Sequence, residues 1–137
     1  MYSFENKIIG QTKFKYDKYK NLISRVSTDE KNEYQDKITF EYDKKNRLIR
    51  ETYYGREILK AKPKFQSEAV FIYDENNNLI ETHNFINYTG KKMLGSKEFY
   101  DKERRLTKKN EYYLGKISKV TIYENGLEIF ETRYNDD

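Results

Sequence analysis

The chain has 137 residues, of which 36% are charged and 36% hydrophobic, and its formal net charge at pH 7 is +4. It has no cysteine and one histidine, which excludes disulfides, thiol nucleophiles and cysteine metal sites. No apolar run approaches the ~18 residues of a transmembrane helix, and residues 1–10 lack the apolar segment of a signal peptide. We therefore expect one domain, residues 1–137, in the cytoplasm and without a membrane partner.

An internal repeat organises the chain. A short motif recurs five times, beginning at Tyr16, Tyr42, Tyr73, Tyr100 and Tyr123. In the first four copies Asp follows Tyr directly and a Leu follows six residues after Tyr; the fifth copy is shorter. Repetition at this period is typical of an architecture in which one supersecondary unit stacks on its neighbours.

Each copy predicts a β-hairpin. The residues before the motif alternate with period two, so that Ile38, Phe40 and Tyr42 share one face. Ile117, Lys119, Thr121 and Tyr123 are expected to share a face in the same way, although less regularly. The even spacing between Tyr and Leu predicts that they lie opposite each other across the turn.

Two kinds of turn separate the arms. In the motif turns, the Asp carboxylate can accept hydrogen bonds from turn N–H groups, and Asn tolerates a left-handed conformation. The last copy carries Asn125-Gly126, a strong signal for a two-residue hairpin turn. Between copies a second turn contains Gly, as in Tyr88-Thr89-Gly90-Lys91 and Tyr113-Leu114-Gly115-Lys116.

The predicted fold is all-β: an open, twisted antiparallel β-meander of stacked β-hairpin repeats with about ten or eleven strands. Pro63, the only proline, is expected in a widened loop or at an edge. A short helix within residues 1–10 is the one helical element that the sequence allows.

The repeated segments resemble the tyrosine-aspartate (YD, or Rhs-type) repeat family, whose core is Tyr-Asp, a short turn and Leu. The usual Gly before the turn Arg is missing: Asn46 and Arg104 stand there. Tyr123-Glu124-Asn125-Gly126 is similar to the MORN-variant repeats of small bacterial antitoxin-like proteins. The resemblance implies a hairpin-repeat fold and a place in bacterial toxin systems, and it supplies no catalytic residues.

Catalytic and metal-binding signals are weak. His83 lies in an alternating arm, and no serine has the context of a nucleophile elbow. Asp74 opens a segment similar to a calcium loop, but Leu79 and Phe85 occupy the positions of the required Gly and Glu. We therefore expect no enzyme, no catalytic residue, no metal site and no cofactor.

The remaining signal is a surplus of tyrosine interleaved with basic residues. The chain has 14 Tyr, a residue that gives large contact area at small entropic cost. One interpretation is cross-strand Tyr ladders that stabilise the sheet, and the other is a partner-binding surface. The predicted partner-binding residues are Tyr53, Tyr54, Tyr88, Arg104, Arg105, Lys108, Lys109, Tyr112 and Tyr113.

The resulting hypothesis is a non-catalytic protein-binding module: a bacterial cytosolic immunity or antitoxin protein that neutralises a cognate toxin domain by occluding it. One alternative is a nucleic-acid-binding sheet, although 23 acids nearly balance 27 bases. Another is a Rhs-type surface or shell protein that binds sugars. Residues 91–120 carry ten basic residues against four acids, whereas residues 121–137 carry one against five. An open sheet has two edges, so edge-to-edge homodimerisation is also compatible with the sequence.

Overall fold

The computed structural model describes residues 10–29, 31, 35–55 and 64–135. Over these residues the chain forms ten strands in one antiparallel sheet, ordered as in the sequence. The strands are β1 (Gly10–Tyr16), β2 (Leu22–Asp29), β3 (Gln35–Tyr42), β4 (Leu48–Gly55), β5 (Lys64–Tyr73), β6 (Leu79–Tyr88), β7 (Lys91–Tyr100), β8 (Leu106–Tyr113), β9 (Lys116–Glu124) and β10 (Leu127–Arg133). The sheet is not closed and the described ranges contain no helix, which confirms the predicted open all-β meander.

Two sequence predictions lie wholly or largely outside the described residues. Pro63 is among the residues that are not described, and so are the first nine residues, where a short helix was allowed. Gly10, the last residue of that predicted segment, belongs to β1.

The chain divides into two compact units. The first comprises Met1–Phe40 and Thr52–Gln66, and the second comprises Glu41–Glu51 and Ser67–Asp137. In the first unit, Phe14 of β1 pairs with Arg25 of β2, which pairs in turn with Ile38 of β3.

In the second unit the register aligns side chains in rows across six strands. One row contains Phe71, Thr82, Glu98, Lys109, Thr121 and Glu131, and we call the face that it occupies face A. The adjacent row contains Val70, His83, Lys97, Asn110, Val120 and Thr132, and it occupies the opposite face, face B. Directly paired residues of antiparallel strands point to the same side, so the rows define the composition of each face.

Short and polar side chains are the most buried ones. Thr82, Thr121, Asn110 and Glu68 are buried in the second unit, whereas none of the described hydrophobic side chains is fully buried. On a sheet face, a short side chain is covered by longer neighbours on the adjacent strands, while those neighbours keep one side in solvent. Cross-strand contacts therefore supply the packing that a conventional core supplies elsewhere.

The predicted Tyr–Leu opposition is confirmed in three copies. Tyr16 pairs with Leu22, Tyr73 with Leu79 and Tyr100 with Leu106, each next to a register shift. In the shorter fifth copy, Tyr123 pairs with Glu128 instead.

The predicted common face of Ile117 and Lys119 is wrong. Ile117 pairs with Tyr112 and Lys119 with Glu111, and these two partners are adjacent in β8. Adjacent strand residues point to opposite faces, so Ile117 lies on face B and Lys119 on face A. A β-bulge at this point adds a residue to β9 and reverses the alternation.

Candidate partner-binding surface

The motif turns share one hydrogen-bond pattern, and Asp74 illustrates it. Its Oδ1 accepts from the N–H groups of Asn76 and Asn78 at 2.9 Å each, and its Oδ2 accepts from the Asn78 amide at 3.1 Å. The same carboxylate geometry recurs at Asp17, Asp43 and Asp101. The four aspartates, which we call the turn aspartates, therefore have the structural role expected from their position.

These hydrogen bonds favour the ionised carboxylate. The N–H groups of Arg47, Asn78 and Arg105 lower the pKa of Asp43, Asp74 and Asp101 respectively. For Asp17, burial acts to raise the pKa, but hydrogen bonds from Asn21 and Tyr19 outweigh it, and the pKa is again lowered.

Two arginines of the motif turns connect successive hairpins. Arg47 donates from Nε to Asp43 Oδ2 at 2.7 Å and from Nη1 to Asn77 Oδ1, in the next motif turn, at 2.9 Å. Its guanidinium also lies 4.8 Å from the centroid of the Tyr73 ring. Arg105 repeats the arrangement: it donates to Asp101 at 2.9 Å and lies 3.5 Å from the side-chain oxygen of Asn125. Both arginines thus serve as hairpin-to-hairpin bridges.

The two described Gly turns contain residues in an unfavourable conformation. Thr89 and Gly90 have φ of 50° and 85°, and Leu114 and Gly115 have φ of 48° and 82°. Positive φ at both central residues is the signature of a type I′ turn, in which Asn or Gly is usual. A branched threonine and a bulky leucine at the first position are both strained there.

A cluster of large exposed hydrophobic side chains surrounds these turns. It comprises Ile86, Tyr88, Tyr113 and Leu114, and we call it the tyrosine patch. The rings of Tyr88 and Tyr113 meet edge to face, with centroids 6.3 Å apart at 81°. The patch lies at the Gly-turn end of β6–β9, and Lys91 and Lys116 pair in register with its two tyrosines. It is thus an apolar surface on face A flanked by two lysines.

The structure brings together some of the predicted binding residues and separates others. Tyr88 and Tyr113 are in contact, whereas Lys108 and Tyr112 lie on face B. Lys109 lies on face A opposite Glu98, and the Lys108 ammonium is 5.5 Å from the Phe99 ring centroid. Because the strands alternate in direction, Arg104 and Arg105 lie at the opposite ends of β7 and β8 from the patch.

The other two predicted residues, Tyr53 and Tyr54, belong to the first unit. The sequence interpretation also missed two members of the patch, Ile86 and Leu114. The signal that could have found Leu114 is its place before Gly115 in a two-residue turn, where an apolar residue is unusual.

Several charged side chains of the second unit form ion pairs with one another. On face A, Lys119 Nζ lies 2.7 Å from Glu111 and 3.7 Å from Glu131, whose carboxylate also lies 2.6 Å from Arg133 Nε. The Arg133 guanidinium lowers the pKa of Glu131. The buried Glu68 contacts both Lys92 and Arg50, and the Lys92 ammonium lies 4.8 Å from the Phe85 ring centroid.

His83, the one histidine of the chain, contacts a carboxylate of its own strand. His83 Nε2 lies 2.7 Å from Glu81 Oε2 on the same strand, and no cluster of three or more His, Cys, Asp or Glu side chains in the described ranges could hold a metal ion. Nor does that part of the chain contain a helix with the length and apolar character needed to cross a bilayer.

Comparisons with known proteins bear on the fold. No family model matches the chain, and no curated protein matches it. A solved structure of a protein with unknown function from Bacteroides fragilis is similar, with a TM-score of 0.51, 14% sequence identity, and coverage of 90% of this chain and 92% of that chain. At this identity the similarity shows the fold alone.

Proposed function

We propose that the chain is a non-catalytic protein-binding module that acts as a bacterial cytoplasmic immunity or antitoxin protein. It neutralises a cognate toxin by covering the active site or substrate groove of the toxin. The single observation that carries the proposal is the tyrosine patch, in which Tyr88 and Tyr113 are in ring contact and remain accessible.

The chemistry of the patch supports this proposal. Tyrosine is one of the residue types that dominate the binding energy of protein interfaces, particularly where such residues cluster near the centre. Type I′ turns hold the patch on paired strands, so little conformational entropy is lost on binding. The flanking lysines favour a toxin with an acidic surface around an apolar centre.

Leu114 adds a second argument. Its positive φ costs folding free energy, while its side chain is exposed at the tip of a turn. Strained backbone conformations cluster at functional sites, which favours a contact of this exposed leucine with another molecule.

The proposal predicts that a gene for a toxin domain lies beside the gene for this protein, and the test is co-expression with the product of that neighbouring gene. We expect restored growth of the toxin-producing cells and a purified complex with a Kd near or below about 1 nM. Tyr113→Ser should weaken binding by roughly 30-fold or more, the loss of about 2 kcal/mol typical of a central interface tyrosine.

Tyr134→Ser is the matched control, because Tyr134 is 53% exposed and Tyr113 is 52% exposed. If both substitutions have the same effect, the patch is not the binding surface. If no neighbouring gene product forms a complex, or if the protein shifts nucleic acid at low salt and releases it at high salt, the immunity proposal fails.

A further inference from the structure

The two terminal strands of the sheet are exposed along their length. Every residue of β1 is exposed, and so is every residue of β10 except Thr132. In the strand order, β1 neighbours only β2 and β10 neighbours only β9 among the described residues. The outer sides of both strands therefore present backbone N–H and C=O groups that another strand can pair with.

Both strands also expose large apolar side chains. Phe14 and Tyr16 are more than half exposed on β1, and Leu127, Ile129 and Phe130 are more than half exposed on β10. A strand added to either edge would cover part of this apolar surface.

The two edges carry opposite charge. β1 contains two Lys and no acid, which gives +2, whereas β10 contains two Glu and one Arg, which gives −1. Pairing β10 with β10, or β1 with β1, would bring like charges together across the new interface. Pairing β10 with β1 brings opposite charges together.

We propose that β10 of one copy pairs with β1 of a second copy, so that the chain associates with itself head to tail. Such an interface is heterologous, because each copy contacts one neighbour through β10 and the other neighbour through β1. It therefore produces chains or closed rings of copies rather than a dimer related by a twofold axis. This inference is independent of the tyrosine patch and of any toxin.

Sedimentation velocity over a wide range of protein concentration tests it. We expect concentration-dependent association of the full chain at low salt. Association should weaken at about 0.5 M salt, where the Debye length falls to a few Å. A protein that stays monomeric at high concentration and low salt would overturn the proposal.

Charge reversal identifies which edges meet. The variant with Lys13→Glu and Lys15→Glu makes β1 acidic, and the variant with Glu124→Lys and Glu128→Lys makes β10 and the adjoining end of β9 basic. Each variant alone should associate about tenfold or more weakly. An equimolar mixture should recover association, because the acidic β1 of one variant meets the basic β10 of the other.

The same variants separate the alternatives. If β10 paired with β10, reversing Lys13 and Lys15 would leave association unchanged, and that result contradicts the proposal. The control carries Lys44→Glu and Lys45→Glu, an identical charge change in an exposed motif turn. If this control weakens association as much as the β1 variant, net charge rather than edge pairing is responsible, and the proposal fails.

Discussion

The strain in the Gly turns can be tested by exchanging residues between two turns of the same conformation. Thr89 and Asn125 each precede a glycine in a two-residue turn, with φ of 50° and 51°. An L-residue in the left-handed region pays roughly 1–2 kcal/mol, and asparagine pays less because its short polar side chain interacts with the local backbone. We expect Thr89→Asn to stabilise the fold by about 0.5–1 kcal/mol and Asn125→Thr to destabilise it by a similar amount.

Urea unfolding is a direct assay, since the chain has 14 Tyr and no Trp and its tyrosine fluorescence reports on the whole sheet. Thermal unfolding is a second assay, in which a change of about 1 kcal/mol in the free energy of unfolding shifts Tm by roughly 2–4 °C for a protein near this size. The double variant should return close to the wild-type stability, because the two effects have opposite sign. The long contact of Arg105 with Asn125 adds at most a small further loss to Asn125→Thr.

A neutral or destabilising Thr89→Asn together with a neutral Asn125→Thr would contradict the expected strain. That outcome would mean that the backbone at these positions does not penalise a branched residue. The positive φ of Leu114 would then no longer support a role in binding.

Three further predictions concern the network of charged residues. The pKa of each turn aspartate is lowered in the folded state, so the stability it supplies is complete above the ordinary pKa of about 3.9 and is lost as the pH falls from there through the lowered value. Urea midpoints measured between neutral pH and about pH 3 should show this loss. In the Asp74→Asn variant the urea midpoint should depend less on pH. Glu68→Gln should cost about 1–2 kcal/mol, since Glu68 is 8% exposed and contacts two cations, whereas Glu41→Gln should cost less than about 0.5 kcal/mol because Glu41 is 52% exposed; equal losses in urea unfolding would contradict the burial argument. Arg47→Asn should keep the local turn, as asparagine does in the first and third copies, but remove the bridge to Asn77 and so speed amide hydrogen exchange there; unchanged exchange at Asn77 would show that the bridge carries no stability.

Much of the fold follows from local signals in the sequence. The Tyr-Asp motif predicts its turn because the carboxylate accepts hydrogen bonds from residues two and four positions later, a strictly local interaction. Asn125-Gly126 predicts its turn because both residues tolerate positive φ. The number and order of the strands follow from these turns, because each turn reverses the chain and places the next strand beside the one before it.

The candidate site was harder to predict from the sequence than the fold. Tyr88 and Tyr113 are 25 residues apart, and their contact depends on the register of two successive strand pairs, β6 with β7 and β7 with β8. The bulge before Lys119 has no Gly or Pro to mark it, so the face of Ile117 could not be deduced. Arg105 was predicted as a binding residue because it is one of the basic residues interleaved with the tyrosines; its contact with Asn125, which lies in a different turn, has no local signal in the sequence.

The strand order has a consequence for how the protein acquires its structure. Since neighbours in the sheet are neighbours in the sequence, most ladder pairings close only short loops, and the entropy lost at each step is small. Such a topology is expected to fold quickly for an all-β protein. During synthesis, each hairpin can be added to those already emerged from the ribosome, with no need to wait for a distant segment.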